Sequence, residues 1–428
     1  MSTQPTSSAG TGWSAARAEE HLLGLELFGM RFGLERMRRL LTALGSPQER
    51  FQAIHVVGTN GKSSTVRMTA ALLEAHGVRA GAFLSPHLTS FAERIRIGDA
   101  DLAPDAFGAA VERAAAAAAK VDRGLEEGDR VTQFEVLTAA AFDELARRAV
   151  EVAVVEAGLG GRHDATGVLR APIVVLTNVG LEHTRWLGPT IADIAREKLA
   201  VVRPDATLVL GEAAEGDAGD EAAKRRGRID AEVEELARAT GARIVRTDDE
   251  DGGWALPGYQ RTNFALACAA AREQLGALDP AIAAAVAERI SVPGRLQVVG
   301  ERPLAILDGA HNPSGVEALA AALPERPFVA VVAILDDKDA AAMLSALRPR
   351  CDTFVCTAAP NPRALPPATL GSLAQQLGAE AEIVPDPRAA LERARELAGP
   401  DGAVIVTGSI YLVAELVSEP GSRRASAL

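Results

Sequence analysis

The chain has 428 residues, of which 48% are hydrophobic and 24% are charged, and its formal net charge is −12. This length has room for two or three domains with a sizeable core, and the composition is that of a globular protein and not of a disordered one. The acidic balance argues against nucleic acids and anionic membranes as partners, since both are negatively charged. Any anionic substrate must therefore meet locally placed basic residues.

Cysteine usage and the lack of a long apolar segment predict a cytoplasmic protein. Cys268, Cys351 and Cys356 are too few and too poorly grouped for a disulfide framework. Residues 1–12 carry neither a basic region nor an apolar stretch, and we expect them to be a disordered tail. No later run approaches the ~20 apolar residues that a membrane-spanning helix needs.

The first functional pattern is an apolar strand, predicted at residues 54–57, that runs into a glycine loop and then a helix. The loop and the helix start read Gly58, Thr59, Asn60, Gly61, Lys62, Ser63 and Ser64. Backbone N–H groups of such a loop and the positive end of the helix dipole bind phosphate oxygens, and Lys62 can neutralise the β- and γ-phosphates. The common template has glycine where Val56 stands, so only its Gly-Lys-Ser end is matched. A plain loop is the alternative for this tripeptide taken alone.

Two later strands end in polar residues that suit the same site. The strand predicted at residues 152–155 runs into Glu156, and the strand predicted at 173–176 leads to His183. Because parallel sheets bind ligands at the carboxyl ends of their strands, Glu156 would lie near the phosphates with a metal between them. A nucleotide loop, an acid and a histidine at three strand ends describe a single site.

Alternating strands and helices predict an α/β fold with two domains. The strands at residues 54–57, 152–155, 173–176 and 207–210 are continuous apolar runs, which is typical of parallel strands covered on both faces. After residue 295 the alternation restarts, with strands predicted at residues 305–307, 328–334, 353–357 and 404–407. We therefore expect a phosphate-loop mononucleotide-binding domain with a parallel sheet at residues 1–295, followed by a smaller Rossmann-like α/β domain at residues 296–428.

Six motifs in chain order carry a family resemblance. They occupy residues 58–62, 85–88, 134–138, 158–166, 293–295 and 308–313, and the match extends from about Gly24 to Leu412. Together they resemble the folylpolyglutamate synthase/dihydrofolate synthase family of the Mur ligase superfamily. The resemblance implies a ligase that uses ATP to join L-glutamate to a pteroate or folate carboxylate through an acyl phosphate. It also implies that the protein is a monomer with small-molecule substrates.

The resemblance further implies a site for Mg²⁺, with two ions expected. The matching residues of the family make Glu156 a bridge between the metals and His183 a ligand of the second one. The metal-binding hydroxyl of the family comes from the position of Ser85, whereas ordinary phosphate loops and the cell-wall Mur ligases use the position of Ser63. We expect Ser85 to be the main hydroxyl ligand and Ser63 an auxiliary one, and either could bind.

Other roles also rest on matching positions. Lys198 matches a lysine that CO₂ carbamylates, and burial would favour the neutral amine that this reaction needs. In the family, the loop that holds Asp308 and His311 closes over ATP, with Arg295 at the hinge and Asn263 near adenine. Phe134 and Asp164 match pterin-binding positions, and stacking on Phe134 would suit a flat pterin. Packing in the core is the alternative for Phe134.

Three departures from the family pattern bear on the choice of substrate more than on the type of reaction. Gly167 stands where asparagine is usual, His163 replaces an apolar residue, and Glu182 replaces the aspartate before His183. Two alternatives therefore stay open. The first is a Mur-type ligase that joins an amino acid to another acid, which Ser63 slightly favours. The second is a non-catalytic ATP-binding switch, which the intact set of Lys62, Glu156, His183 and Lys198 opposes.

Overall fold

The computed structural model describes residues 12–25, 33–211, 220–247 and 253–419. Over these ranges the chain forms two α/β units, each built on a mostly parallel sheet with helices on both faces. The predicted fold class is confirmed. The tail expected at residues 1–12 lies outside the described residues except for Gly12. None of the helices in the described ranges is both long enough and apolar enough to cross a membrane.

The first unit is the larger one. Its helices and strands follow in this order: α1 (Ala15–Leu23), α2 (Glu35–Ala43), β1 (Gln52–Val57), α3 (Lys62–Ala75), β2 (Ala80–Phe83), β3 (Ile95–Ile97), β4 (Ala100–Asp101), α4 (Pro104–Asp122), α5 (Gln133–Arg147), β5 (Val152–Glu156), β6 (Ile173–Leu176), α6 (Thr184–Leu187), α7 (Ile191–Leu199), β7 (Thr207–Leu210), α8 (Asp220–Thr240), β8 (Arg243–Arg246), α9 (Tyr259–Leu275) and α10 (Pro280–Arg289).

The first sheet places β1 at its centre, between β5 and β6. The strand order is β4-β3-β2-β5-β1-β6-β7-β8, and only the β2–β3 and β3–β4 pairs are antiparallel. Val56 pairs with Glu156, and Val57 pairs with Leu176, so the carboxyl ends of the three central strands are level. Ligands bind at this edge of such sheets. The loops after β1, β5 and β6 therefore open on one site.

Hydrophobic side chains cover both faces of the first sheet. On one face, the strands pack under α4 and α5, with Phe83, Leu137 and Phe142 fully buried. On the other, α3 and α9 pack against each other over Ile54 and Val154. Burial on both faces explains why these strands are apolar at every position instead of alternating. It also anchors the start of α3, where the phosphate loop ends.

The second unit is smaller and has its own core. It contains β9 (Gln297–Glu301), β10 (Leu304–Leu307), α11 (Pro313–Ala322), β11 (Phe328–Val332), α12 (Ala340–Leu347), β12 (Cys351–Cys356), α13 (Pro367–Gln376), β13 (Glu380–Ile383), α14 (Pro387–Ala398), β14 (Ala403–Thr407) and α15 (Ile410–Val417). The strand order is β13-β12-β11-β14-β10-β9, with β9 antiparallel and the other pairs parallel. The division of the chain at residues 295 and 296 stays a prediction.

Candidate active site

The loop between β1 and α3 has a backbone that requires glycine at two positions. Gly58 has a φ angle of 153° and Gly61 one of 83°. A Cβ atom on Gly58 would lie 1.8 Å from Thr177 Oγ1, and one on Gly61 would lie 2.4 Å from Asn263 Oδ1. The two glycines therefore let the backbone turn tightly against neighbouring side chains, as a phosphate-binding loop must.

The loop after β6 holds the phosphate loop in place. The Asn60 N–H group donates to Asn178 Oδ1 at 2.9 Å, and Thr177 Oγ1 donates to the Asn60 carbonyl at 2.6 Å. The Gly180 N–H group donates to Thr59 Oγ1 at 2.9 Å. Ser64, in the first turn of α3, has a buried hydroxyl without a hydrogen-bond partner among the described residues. A phosphate oxygen would satisfy that hydroxyl, which supports the fit of the loop to a nucleotide.

Two lysines meet behind the loop. Lys62 Nζ donates to the Gly58 and Thr59 carbonyls at 3.1 and 3.0 Å, and Lys198 Nζ donates to the same Gly58 carbonyl at 2.6 Å. Burial, together with the charge of Lys62, lowers the pKa of Lys198 to about 7. A substantial share of Lys198 is therefore a neutral amine at neutral pH, which is the form that reacts with CO₂.

Glu156 ends β5 inside a small group of hydroxyl and amide donors. Ser63 Oγ donates to Glu156 Oε1, and the Ser85 N–H group donates to Glu156 Oε2, both at 3.0 Å. Burial raises the pKa of Glu156, whereas Lys62 and the two serines act in the opposite direction. Carboxylate and hydroxyl oxygens are ligands of the type that Mg²⁺ prefers. Glu156 and Ser63 bring two such groups together, so their chemistry fits this ion.

His183 and Glu182 lie together in the loop between β6 and α6. His183 has a left-handed φ of 50°, and its imidazole, although 40% exposed, loses enough hydration in the cleft to lower its pKa to about 4. The ring is therefore neutral at pH 7 and keeps a lone pair for a metal. Burial alone would raise the pKa of the Glu182 carboxyl, but His311, Lys338 and His183 hold it well below its ordinary value.

The second unit contributes the loop between β10 and α11. Asp308 is buried and accepts hydrogen bonds from the Tyr259 hydroxyl, from the Leu296 N–H group at 2.8 Å and from the Ala310 N–H group at 2.9 Å. Since Tyr259 belongs to α9 of the first unit, this carboxylate joins the two units. A Cβ on Gly309 would lie 2.2 Å from Arg295 Nη1, so the guanidinium lies directly against this loop.

His311 and Asn312 of this loop reach across to the first unit. His311 Nδ1 lies 2.9 Å from the Gly309 carbonyl, which can only accept, so Nδ1 carries a proton. His311 Nε2 lies 3.3 Å from Glu182 Oε1, and a hydrogen bond there requires the doubly protonated ring. Asn312 Nδ2 donates to Asn60 Oδ1 at 2.9 Å, and Asn60 Nδ2 donates back to Asn312 Oδ1 at 3.2 Å.

Phe134 and Asp164 both lie against Gly158. A Cβ on Gly158 would lie 2.6 Å from the Phe134 ring and 3.0 Å from Asp164 Oδ2. Phe134 is half-buried and packs on Phe83, with ring centroids 5.9 Å apart. Asp164 accepts from the Leu159 and Thr166 N–H groups at 2.8 and 3.0 Å, and its burial raises its pKa. The carboxylate therefore also orders the loop that follows β5.

One cavity of about 1450 Å³ lies between the two units and is lined by both. The cavity is larger than most sites for a single small molecule, which leaves room for more than one substrate. Its lining includes these predicted site residues: Thr59, Asn60, Gly61, Lys62, Ser63, Ser64, Ser85, Phe134, Glu156, Asp164, His183, Asn263, Arg295, Asp308 and His311. Lys198 is not in the lining and lies behind the phosphate loop.

Sequence reasoning assigned no role to three polar residues that help to build the site, and it left a fourth, Lys338, undecided between a weak match to the family and a solvated surface position. Asn178 and Asn312 hold Asn60, Tyr259 holds Asp308, and Lys338 lies 3.3 Å from Glu182. Asn178 follows the carboxyl end of β6, and a polar residue at that position of a parallel strand could have been predicted to belong to the site. Within the described residues, no cluster of three or more His, Cys, Asp or Glu side chains suits a metal ion. Mg²⁺ often takes only one or two carboxylates and completes its shell with water and phosphates.

Comparison with known proteins extends these observations. Two family descriptions match the chain, Mur ligase middle domain over residues 56–226 and Mur ligase, glutamate ligase domain over residues 294–410. The dihydrofolate synthase/folylpolyglutamate synthase of Mycobacterium tuberculosis is 36% identical over 81% of this chain and 78% of that protein. A probable bifunctional folylpolyglutamate synthase/dihydropteroate synthase of Haloferax volcanii is also 36% identical over 93% of this chain, which spans only 49% of that relative.

Solved structures agree over nearly the whole length. Mycobacterium tuberculosis folylpolyglutamate synthase complexed with ADP has a TM-score of 0.83 and 32% identity, covering 94% of this chain and 97% of that one. Escherichia coli FolC in complex with DHPP and ADP has a TM-score of 0.82 at 28% identity, covering 97% and 98%. The Yersinia pestis enzyme with Mn, AMPPNP and L-glutamate has a TM-score of 0.80 at 29% identity, covering 97% and 98%. The chain therefore belongs to the folylpolyglutamate synthase/dihydrofolate synthase family of ATP-dependent ligases.

Proposed function

We propose that this protein joins L-glutamate to the carboxyl group of a pteroate or folate, at the expense of ATP. One observation carries the proposal: a glycine loop with Lys62, the Glu156 carboxylate and the second unit's Asp308–His311 loop all line one cavity. The likeness to the Escherichia coli structure in complex with DHPP and ADP, and to the Yersinia pestis structure with Mn, AMPPNP and L-glutamate, supports the substrate set.

ATP would bind with its phosphates on the loop after β1. The N–H groups of residues 59–64 and the start of α3 would hold the phosphates, and the free Ser64 hydroxyl would donate to one of them. Lys62 would leave the carbonyls of its own loop for the β- and γ-phosphates. Asn263 and Arg295 line the same cavity and are our candidates for the nucleoside and the hinge.

Glu156 and His183 are our candidate magnesium ligands. Mg²⁺, when bound there, would polarise the phosphate oxygens and offset their charge. Ser63 is hydrogen bonded to Glu156 through its hydroxyl, whereas Ser85 contacts Glu156 through its backbone N–H group. We propose that one of these two hydroxyls completes the ligand set, and matched Ser63→Ala and Ser85→Ala variants distinguish them. The proposal of two ions rests on the family resemblance.

The reaction would proceed in two steps because a carboxylate is a poor electrophile. The carboxylate of the pterin substrate first takes the γ-phosphoryl group of ATP, which gives an acyl phosphate and ADP. The amine of L-glutamate, after losing a proton, then attacks the acyl carbon and phosphate leaves, which forms the amide. Lys62 and Arg295, which line the cavity, would stabilise the charge that develops on oxygen in both steps.

A matrix of substrates tests the proposal. ADP release is measured with purified protein, ATP and Mg²⁺, while the amino acid and the acceptor acid are varied independently. We expect release that requires both L-glutamate and a pteroate or folate species. Release with another acid or another amino acid would identify the Mur-type alternative. Nucleotide binding without ADP release on any acceptor would identify the other alternative, a non-catalytic ATP-binding switch. The cytoplasmic location and the monomeric state expected from the sequence stay predictions.

A further inference from the structure

Glu182 lies between the two units and touches cationic or proton-donating side chains of both. The side chain is only 9% exposed, and its Oε1 atom lies 3.3 Å from Lys338 Nζ, 3.3 Å from His311 Nε2 and 3.7 Å from His183 Nε2. Lys338 and His311 belong to the second unit, on the loops that follow β11 and β10. A single carboxylate oxygen of the first unit thus contacts two side chains of the second unit, His311 and Lys338.

We propose that Glu182 is a positioning residue that holds His311 and Lys338 of the second unit against the phosphate-loop edge of the first. This role goes beyond the proposed reaction and rests on the proposed function only for its kinetic test. The Asn60–Asn312 amide pair fixes the neighbouring part of the same interface. Glu182 supplies the charged part of it, because Lys338 donates a hydrogen bond to this buried carboxylate and His311 Nε2 lies 3.3 Å from the same oxygen.

The length of the Glu182 side chain is essential for this positioning role. Replacing Glu182 by aspartate would draw the carboxylate back by about 1.5 Å, the length of one carbon–carbon bond. From that position the carboxylate would lie beyond hydrogen-bonding distance of Lys338 and His311. Loss of the Glu182–Lys338 contact should be strongly destabilising because the pair is buried. Removing one partner leaves the charge of the other without compensation. Aspartate therefore preserves the charge but not the contact, and glutamine preserves the shape but not the charge.

Interdomain distance tests the proposal without any substrate. Cys268, Cys351 and Cys356 are all buried, so spin labels can be directed to Glu288→Cys on α10 and Gln375→Cys on α13, both at exposed positions. We expect one narrow distance distribution in the labelled parent protein. Glu182→Gln, Glu182→Asp and Lys338→Met should each add a population at longer distance. Asp143→Asn is the matched control, because it breaks the Arg113–Asp143 ion pair within the first unit alone.

Kinetics supply the second readout. Loss of positioning at the interface should lower kcat by roughly 10- to 100-fold. Glu182→Gln combined with Lys338→Met should be no worse than the more damaging single variant, because both remove the same contact. Folding of each variant is checked from its far-ultraviolet circular dichroism and its thermal unfolding.

The two readouts separate this proposal from the proposed function. A parent protein that ligates no acceptor would defeat the function but leave the distance experiment intact. Distance distributions that stay narrow in all three folded variants would overturn the positioning role. Multiplicative losses of kcat in the double variant would also overturn it, because independent effects would then explain the residues.

Discussion

Lys62 and Lys198 donate hydrogen bonds to one acceptor, the carbonyl oxygen of Gly58, at 3.1 and 2.6 Å. Two ammonium groups on one oxygen repel each other, and Lys198 is the more deeply buried of the two. Burial, with the nearby charge of Lys62 acting in the same direction, lowers the pKa of Lys198 to about 7. The Gly58 carbonyl thus binds both the lysine that we propose for the nucleotide phosphates and the lysine that we propose for reaction with CO₂.

Lys62→Ala should remove most of the ligase activity. The variant loses the cation that would offset charge on the transferred phosphoryl group, and the loss of one such group costs about 10²- to 10³-fold in kcat. Steady-state ADP release measures the effect. Lys120→Ala, at the exposed end of α4, is the matched control and should behave as the parent protein. Turnover near the parent level in Lys62→Ala would reject the assignment of this loop to the phosphates.

Lys198 should form a carbamate whose amount depends on pH. A pKa of about 7 means that the neutral amine rises from about 10% of the molecules at pH 6 to about 90% at pH 8. Carbon-13 spectra with labelled CO₂ at fixed dissolved concentration should therefore show an adduct that grows over this range. The adduct should vanish in Lys198→Ala and persist in Lys120→Ala. A spectrum without any Lys198-dependent adduct between pH 6 and pH 8 would exclude the carbamate.

Glu156→Gln and His183→Ala should each raise the Mg²⁺ concentration needed for half-maximal activity. Both changes remove a proposed metal ligand, and we expect shifts of about tenfold or more. Glu127→Gln, an exposed carboxylate after α4, controls for the loss of one negative charge. An unchanged magnesium titration in either variant would assign that residue to the framework of the site and not to the metal.

Phe134→Leu should weaken binding of the pterin substrate selectively. Stacking on an aromatic ring contributes about 0.5–1.5 kcal/mol beyond burial, so KM for the pterin should rise by about 2- to 12-fold while KM for ATP stays constant. Phe51→Leu removes a comparable half-buried ring that packs on Phe142 and does not line the cavity. Equal changes in both KM values, or lower stability with an unchanged KM, would indicate that Phe134 only packs in the core.

The central strands of both sheets could be predicted from the sequence because they are buried on both faces. Residues 54–57, 173–176, 207–210 and 404–407 all lie within observed strands. The strands that were missed are short or lie at sheet edges. β2 is built from Ala80, Gly81, Ala82 and Phe83, whose composition gives little strand signal. β13, Glu380–Ile383, has the sequence Glu-Ala-Glu-Ile, in which glutamate and alanine are both depleted in strands. Pairing to a neighbour, and not local preference, makes these segments strands.

The side chains that join the two units could not be predicted in the same way. Glu182 and Lys338 are separated by 156 residues, and no local pattern marks such a pair. No local pattern marks Tyr259 either, although its hydroxyl donates a hydrogen bond to Asp308. Motifs predicted the parts of the site that each unit carries alone, because glycine loops and strand ends have local signatures. Contacts between units depend on how the units pack, which the local sequence does not encode.

Transfer of oxygen from the acceptor to phosphate tests the central claim most directly. The pterin substrate is prepared with oxygen-18 in its reacting carboxylate and incubated with the protein, ATP, Mg²⁺ and L-glutamate. An acyl phosphate intermediate predicts that each released phosphate carries one labelled oxygen and that the new amide keeps the other. Mass spectrometry of both products measures this. Glutamylated product accompanied by unlabelled phosphate would contradict the acyl phosphate, and labelled substrate recovered without any glutamylated product would contradict the ligase itself.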